Sequence, residues 1–416
     1  MGLSRYEVVE ICAGAGGQSL GLHRAGFDHS IAVELDENAA ATLKLNSDWN
    51  VAVGDVADPQ VWNPAEFEGV DLLAGGVPCP PFSVAGKQLG SADERDLFAW
   101  AVEQVGVMRP RAVMLENVRG LASARFAPYR QRVLDRLSEF GYVGDWTLLH
   151  ASSFGLAQLR PRFVLVAMRP DDAAFFRWPT GSDASPSVGK ALVDLMGARG
   201  WEHAEEWAIA ANGVGPTLVG GSKKHGGADL GPTRAKLAWA SLGVDGRGIA
   251  DEAPAADAPA HTERAPRLTL QMAARLQGFS AEWQFAGKKT SQYRQIGNAF
   301  PPPVAEAVGR AIHDAFEQKH ASNRESTLGS QVHDPIYQAL ALRRGFVRTT
   351  DLIKLEPGMT LTKLENRIAA MSRDFIIESR TRGAEVEYSL SAFNGFTGQA
   401  DHVRHEYMRS FKGKVS

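Results

Sequence analysis

The first 35 residues place the strongest constraint on how this chain folds. An apolar run, Tyr6–Cys12, predicts a buried strand, and the glycine-rich turn Ala13–Gly17 (AGAGG) separates it from a helix beginning at Gln18. A second predicted strand, Ser30–Leu35, carries Glu34 near its end. Strand, glycine-rich turn, helix, strand and acid in this order form the nucleoside-binding half of a doubly wound sheet. The sequence therefore predicts an α/β fold.

The glycine-rich turn also indicates a ligand. Glycines let the backbone approach a ligand closely, and the N-terminus of the next helix adds hydrogen-bond donors. Gly14, Gly16 and Gly17 are more compact than the GxGxxG spacing of dinucleotide sites, which favours a mononucleoside-type cofactor over NAD. Glu34 can accept hydrogen bonds from ribose hydroxyls. The alternative at this point is a tight turn beside a solvated acid.

A third predicted strand, Val51–Val53, leads into Asp55 and Val56. The Asp55 carboxylate can accept a hydrogen bond from an adenine amino group, because an ionised carboxylate is an acceptor only. Val56 can pack against the face of the same ring. These two residues extend the predicted nucleoside site along the edge of the sheet.

One of the two cysteines lies in the stretch GGVPCPPFSVAG. Cys79 stands between prolines, shortly after the apolar strand-like run Val70–Ala74, and prolines there end the strand and stiffen the backbone. The small and polar residues from Ser83 onward are typical of a loop. A thiol at the end of a strand beside such a loop indicates a nucleophile. The alternative is a buried cysteine that acts as a small hydrophobe.

A carboxyl group and two arginines complete the candidate chemistry. Glu116 follows a predicted strand, Ala112–Leu115, at the edge where parallel sheets bind ligands. Gln158, Arg160 and Arg162 alternate before a further apolar strand, so an extended backbone places all three on one face.

The middle of the chain changes in texture. Residues 170–265 are rich in Gly, Ala and Pro with little periodicity, which predicts an irregular segment. Between 220 and 247 five Lys/Arg stand against two Asp, and Lys223, Lys224 and Arg234 lie among glycines. Such a segment can fit its loops to a polyanion. The alternative is a flexible insertion with a solvated face.

Residues 331–416 predict a separate small module. Three helical stretches and a hairpin indicate a winged-helix-like α/β arrangement. Nine Lys/Arg against five Asp/Glu between 340 and 382 permit contact with nucleic acid. A dimerisation or packing role fits the sequence equally well.

Composition limits the remaining classes. With 416 residues, 44% hydrophobic and 22% charged, the chain is typical of a globular protein with a sizeable core. No apolar run has membrane-spanning length and no signal peptide is evident, so we expect no membrane partner. Two cysteines predict no disulfide framework and a reducing cytoplasm, and no metal-ligand spacing occurs. The net charge of −3 means that any basic surface is local.

Eight motifs, in order, resemble those of the DNA (cytosine-5) methyltransferases over about residues 6–317. They are AGAGG, VELD, GDV, PCPPFS, ENV, QLRPR, RLTLQMAARLQGF and QIGNA. The opening EICAGAGGQSLGL most resembles modification enzymes of GCCGGC-type restriction systems. Two positions depart from the family pattern: Cys12 replaces the usual Phe before the glycine turn, and Pro80 stands where Gln is common.

The resemblance implies domains, cofactor and site residues. It implies a Rossmann-like catalytic part at 1–169, a target-recognition domain at 170–265, a returning catalytic part at 266–320 and the module at 331–416. The cofactor is expected to be S-adenosylmethionine. The implied cofactor-binding residues are Cys12, Ala13, Gly14, Ala15, Gly16, Gly17, Leu20, Glu34, Leu35, Asp55, Val56, Pro78, Leu97 and Asn298. The implied catalytic residues are Cys79, Glu116, Arg160 and Arg162, and the implied DNA-binding residues are Ser83, Gly86, Lys87, Arg95, Lys223, Lys224 and Arg234.

The implied reaction methylates C5 of a flipped-out cytosine in a short, palindromic duplex site. The Cys79 thiolate attacks C6, Glu116 acts at N3, and Arg160 and Arg162 contact the base carbonyl and phosphate. Expected partners are double-stranded DNA and, without direct contact, a cognate restriction endonuclease, for a monomer beside the bacterial nucleoid. Two alternatives stay open: a tRNA cytosine-5 methyltransferase, which usually carries a Cys-Phe-Thr motif missing here, and a catalytically silent DNA-binding regulator.

Overall fold

A computed structural model of the chain describes residues 5–78, 95–220, 228–322, 332–343 and 345–394. The strands are β1 (Tyr6–Ile11), β2 (Phe27–Glu34), β3 (Val51–Val53), β4 (Leu72–Gly75), β5 (Ala112–Val118), β6 (Val143–His150), β7 (Pro161–Met168), β8 (Val347–Arg348), β9 (Phe375–Arg382) and β10 (Glu385–Phe393). The helices are α1 (Gly17–Arg24), α2 (Glu37–Asn46), α3 (Arg95–Met108), α4 (Ala127–Glu139), α5 (Pro170–Ala173), α6 (Val188–Met196), α7 (Ala204–Ala210), α8 (Thr233–Ala240), α9 (Leu270–Gln277), α10 (Lys289–Asn298), α11 (Pro302–Phe316), α12 (Pro335–Leu342), α13 (Thr349–Ile353) and α14 (Leu361–Met371).

Seven strands form the central sheet in the order β3-β2-β1-β4-β5-β7-β6. The first five are mutually parallel, and β7 runs antiparallel to both β5 and β6. These strands read as apolar runs because both faces of the sheet are covered, as parallel sheets require. The predicted α/β fold with a mostly parallel sheet is confirmed.

The two faces of the sheet are buried under different helices. Val9, Ile11 and Leu73 join one core with α3 and α4, and Val8 and Leu72 join the other with α11. Alternate residues of one strand point to opposite faces, so neighbours in sequence belong to different cores. Helix α1 packs closely against α11: a Cβ on its Gly21 would lie 2.5 Å from the Pro302 carbonyl oxygen. This contact brings the end of the chain's catalytic part back to its beginning.

Strand β5 is longer than the sequence predicts. It continues beyond Leu115 through Glu116, Asn117 and Val118, and these residues pair with β7. Glu116 faces Val164 in the antiparallel register, and Val118 faces Arg162. The apolar run ends at Leu115, so the polar residues Glu116 and Asn117 were not predicted to belong to the strand. The pairing places Glu116 and Arg162 on adjacent strands.

The segment 170–265, predicted to be irregular, has short helices joined by longer stretches of irregular backbone in its described residues. It contains α5, α6, α7 and α8, and its buried tryptophans Trp201, Trp207 and Trp239 share a core with residues of α9 and α10. Each helix has at most nine residues, too few for a clear helical period in an Ala- and Gly-rich sequence. The predicted boundary at 265 does not interrupt this core.

Residues 332–394 fold as α12, β8, α13, α14 and the hairpin of β9 and β10, with a sheet order of β8-β10-β9. The module packs on α4. The ring of Phe393 lies 5.9 Å from Tyr129 and 5.4 Å from Phe375 of the module, and Gln131 Oε1 accepts from the His333 backbone N–H at 2.9 Å. Within the described ranges, no helix is both long and apolar enough to span a membrane.

Candidate active site

A cavity of about 300 Å³ opens at the carboxyl edge of the parallel strands. It lies between the residues that follow β1 to β4, the end of β5 and the face of α10. Most residues predicted to bind the cofactor line it. They are Cys12, Ala13, Gly14, Ala15, Gly17, Glu34, Leu35, Asp55, Val56, Pro78, Leu97 and Asn298.

The glycine-rich turn is joined to the end of β2 by the carboxylate of Glu34. Glu34 Oε2 accepts a hydrogen bond from the Gly14 backbone N–H at 2.7 Å, and Oε1 accepts one from the Asp36 N–H at 2.7 Å. Gly14 and Gly16 have positive φ angles of 58° and 84°, where a side chain would add strain. Burial raises the pKa of Glu34, and the backbone donors oppose that shift. The acid is therefore held in one orientation at the cavity wall.

Two predicted cofactor residues lie behind the turn rather than in the cavity wall. A Cβ on Gly16 would lie 2.6 Å from the Trp283 ring, and Leu20 packs on the core beneath α9 and α10. Trp283 Nε1 also donates to the Ala15 carbonyl at 3.2 Å. Gly16 and Leu20 thus support the turn from its protein side.

Asp55 and Val56 line the cavity beyond β3, and both are buried. Asp55 Oδ1 accepts a hydrogen bond from the Ala57 backbone N–H at 3.1 Å, which orients the carboxyl group. This placement is compatible with an acceptor for a purine amino group next to an apolar contact.

Glu116 and Arg162 form a buried ion pair. Arg162 Nε lies 2.6 Å from Glu116 Oε1, and the side chains are 8% and 11% exposed, respectively. Burial raises the pKa of Glu116, while Arg162 and then Arg160 act in the opposite direction. Glu116 also lines the cavity. A carboxyl group with a raised pKa that is oriented by a neighbouring arginine can hold or transfer a proton at the cavity edge.

Arg160 binds the protein backbone in this structure, and its predicted contact with the base stays a prediction. Its guanidinium is 1% exposed and donates to the backbone carbonyls of Leu218, Gly297 and Ala299 at 2.6–2.8 Å. Both terminal nitrogens of the Arg160 guanidinium, Nη1 and Nη2, thus donate to backbone carbonyls of the protein itself. Arg160 therefore joins the middle segment to the end of α10.

Asn117 secures the backbone just before the predicted nucleophile. Its Nδ2 donates to the Val77 carbonyl at 3.0 Å, and its Oδ1 accepts from the Val118 N–H at 2.8 Å. Pro78 lines the cavity. The approach to the predicted loop is thus tied to β5.

Several predicted residues lie outside the described residues: Cys79, Ser83, Gly86, Lys87, Lys223 and Lys224. Arg95 begins α3, and Arg234 is exposed in the first turn of α8. Their contacts with DNA stay predictions.

Several residues of the cavity wall were not predicted as site residues, including four on helices α1 and α10. These four are Gln18, Ser291, Arg294 and Gln295. The last three share one face of α10 with Asn298, at the i, i+3, i+4, i+7 spacing that would have identified them. Gln18 directly follows the AGAGG motif, and no sequence pattern distinguishes it from an ordinary first-turn residue of α1.

Residues 6–314 match the model of the family described as C-5 cytosine-specific DNA methylase. The chain is 56% identical to the Type II methyltransferase M.NaeI of Lentzea aerocolonigenes, with all of both chains covered. It is 46% identical to the Type II methyltransferase M.NgoMIV of Neisseria gonorrhoeae, over 76% of this chain and all of that protein. A solved structure of a prophage-encoded DNA modification methyltransferase from E. coli shares the fold, with a TM-score of 0.52, 21% identity and 75% of this chain and 99% of that chain covered.

Proposed function

The chain belongs to the C-5 cytosine-specific DNA methylase family, and from that premise we propose that it methylates C5 of a flipped-out cytosine in a GCCGGC-type duplex site. It is a DNA cytosine-5 methyltransferase of the restriction-modification type. The observation that carries the proposal is the buried Glu116–Arg162 pair at the edge of a cavity with a glycine-rich turn and two acids.

The cavity fits S-adenosylmethionine by the chemistry of its walls. Asp55, in the cavity wall beside the apolar Val56, is our proposed acceptor for the adenine amino group, and Glu34 is our proposed acceptor for the ribose hydroxyls. The glycine-rich turn leaves room for the backbone to approach the rest of the molecule. When bound, this cofactor supplies an electrophilic methyl group.

The protein's own part in the reaction is to activate the cytosine. Cys79 as a thiolate forms a bond to C6, and the electron pair moves toward C5 and N3. Glu116, with its raised pKa, holds a proton for N3, and Arg162 orients its carboxyl group. After C5 takes the methyl group, a base removes the C5 proton and the C6–S bond breaks. Cys79 leaves as the thiolate, and N3 returns its proton to Glu116.

The finer features of target and context are also proposals. Base flipping costs a few kcal/mol, and the loop from Ser83 to Arg95 would fill the gap in the duplex. The segment 170–265 would read the site, and the element order of residues 332–394 supports a winged-helix-like module. We further propose that the protein is a cytoplasmic monomer that acts on nucleoid DNA. Its methylation would protect that DNA from a cognate endonuclease that cuts at the same site.

One experiment tests the proposal. The protein is expressed in a host free of DNA methylation, and cytosine modification is mapped across the host DNA. We expect methylation at GCCGGC sites and its complete loss in Cys79→Ser. Methylation at another sequence would disprove the site, and methylation of tRNA alone would support the RNA alternative.

A trapping assay tests the covalent step separately. With S-adenosylmethionine present, duplex DNA with 5-fluorocytosine in the target position should form a stable adduct with the wild-type protein, because after methyl transfer C5 carries fluorine instead of a removable proton and the elimination is blocked. Cys12→Ser, which removes the other thiol, should still form it, whereas Cys79→Ser should not. DNA binding without adduct or methylation in the wild type would indicate a silent regulator.

A further inference from the structure

Gln18 is a buried polar side chain for which the site described above has no use. It lies in the first turn of α1 and lines the cavity, yet it is only 3% exposed. Neither its amide oxygen nor its amide nitrogen has a hydrogen-bond partner within the described part of the chain. Buried amides without partners are rare because their desolvation is uncompensated. The side chain is therefore prepared for a polar group of a ligand.

The space beside Gly76 indicates the charge of that group. A Cβ built on Gly76 would lie 3.5 Å from Glu116 Oε2, 3.6 Å from the Cys12 carbonyl oxygen and 4.0 Å from Gln18 Oε1. Three oxygens, one of them from a carboxyl group, thus surround one open position. Such an arrangement attracts a cation that can donate several hydrogen bonds.

Helix α1 offers complementary binding for an anion. Its N-cap, Gly16, provides no side-chain hydrogen bond, and Gly17 at its first position lines the cavity. The N-terminus of a helix favours negative charge. A cationic and an anionic position next to each other match the two ends of an α-amino acid group.

We propose that Gln18 is a positioning residue that binds the amino-acid end of the methyl donor. Its Oε1 and the Cys12 carbonyl accept hydrogen bonds from the α-ammonium group beside Gly76, its Nε2 donates to the α-carboxylate, and Glu116 Oε2 stays available for the base. The inference rests on the proposed function, because it takes S-adenosylmethionine as the ligand. It adds that the donor is anchored next to the carboxyl group that acts on the base.

The test compares two ligands on the full chain by titration calorimetry. S-adenosylhomocysteine carries the ammonium group, and its deaminated analogue has hydrogen in that place. In the wild type we expect tighter binding of S-adenosylhomocysteine. Gln18→Leu should lower its affinity about tenfold or more, as expected for a hydrogen bond to a charged group, and should lower that of the analogue by much less. Gln18→Glu keeps an oxygen at this position and should retain the preference.

A second variant keeps the test independent of the folding of the first. Gly76→Ala places its Cβ at ordinary contact distances, so the protein should fold, but the methyl group fills the ammonium position. It should therefore reduce the preference for S-adenosylhomocysteine. Gln60→Leu, on an exposed residue, is the matched control and should change neither affinity.

Two outcomes would overturn the inference. Equal losses for both ligands in Gln18→Leu would show a purely structural role, and no loss in either variant would exclude the ammonium site. If the wild type bound neither ligand, the cofactor in the proposed function would itself be wrong. That result is distinct from a failure confined to Gln18.

Discussion

Arg162 Nε lies 2.6 Å from Glu116 Oε1, and the two residues belong to strands that are hydrogen-bonded neighbours in the sheet. Removing one partner of a buried ion pair leaves the other charge uncompensated, which costs about 3–5 kcal/mol. A substitution in this pair should therefore change both the stability of the sheet and the reactivity of the Glu116 carboxyl group in the cavity.

Arg162→Met should lower the free energy of unfolding by about 3 kcal/mol at pH 8 and abolish methylation. Without Arg162, only the more weakly acting Arg160 opposes the burial that raises the pKa of Glu116. A raised folded-state pKa gives stability that is present at low pH and lost as pH rises through that pKa. Urea unfolding of the variant should thus show a smaller deficit at pH 5 than at pH 8, and a deficit independent of pH would contradict this account. Glu116→Gln with Arg162→Met should recover part of the stability and no activity.

Arg160→Met should destabilise the protein because three buried carbonyls lose their donor. We expect a loss of about 3 kcal/mol or more in urea unfolding, since each bond to a charged donor contributes about 1.5–3 kcal/mol. Arg160→Lys keeps the charge, but one ammonium cannot match the fork of the guanidinium, so an intermediate loss is expected. If Arg160→Met kept wild-type stability and lost only activity, the predicted contact with the base would be right after all.

Gly17→Ala should disrupt the contact between α1 and Phe300, which lies two residues before α11. The added Cβ would lie 2.3 Å from the Phe300 carbonyl oxygen, and this backbone atom cannot move aside as a flexible side chain can. A loss of about 1–3 kcal/mol is typical of overpacking. Thermal unfolding and binding of S-adenosylhomocysteine should both be impaired. Gly345→Ala is the control: its nearest contact is 3.6 Å, and both readouts should stay unchanged.

Asp245→Asn should remove an acid-sensitive contribution to the middle segment. Hydrogen bonds from Arg247 and then Arg267 hold the pKa of Asp245 well below its usual range. A lowered folded-state pKa gives stability that is present above the unfolded pKa of about 3.9 and lost as pH falls toward the folded value. The variant should lose about 1 kcal/mol at pH 7, and the difference from wild type should shrink between pH 5 and pH 2. Asp257→Asn, at an exposed position, should show no such pH trend.

Deletion of residues 325–416 tests the terminal module. The family model ends at residue 314, and all of M.NgoMIV aligns with 76% of this chain, so binding of S-adenosylhomocysteine should survive. Loss of Phe393 and His333 uncovers α4, and the unfolding temperature should fall. Unchanged affinity for target DNA in a gel-shift assay would indicate a packing role, and reduced affinity would indicate a DNA contact.

The parts of the fold that follow from apolar runs could be predicted from the sequence. Val51–Val53 has the predicted bounds. Strand β1 ends one residue earlier than predicted, and α1 begins one residue earlier than predicted. Partners from distant segments could not be predicted. Alternation places Arg160 beside Arg162, but nothing local indicates carbonyls 58 and 139 residues away.

The site shows the same division. Glu34, Asp55 and Glu116 end or follow predicted strands, and the topology brings them to one cavity. Gln18 was missed because its importance depends on Gly76, whose missing side chain leaves the space that the amide faces. Gln18 lies in α1 and Gly76 follows β4, so the two residues become neighbours only when β1 and β4 pair in the folded sheet.

The three carbonyls bound by Arg160 set a rule for exchanging the middle segment, 170–265, between relatives. Leu218 belongs to the segment that would be grafted, whereas Gly297 and Ala299 belong to the recipient scaffold. A Cβ on Gly220 would lie 2.4 Å from Asn298 Oδ1 and 2.5 Å from the Arg294 carbonyl oxygen, so the graft must also present a glycine there. A chimera whose donor segment places neither a carbonyl oxygen against Arg160 nor a glycine against α10 would lack the contacts that seat the segment on the scaffold. Compatible donors can therefore be chosen by these two backbone positions before any base contact is considered.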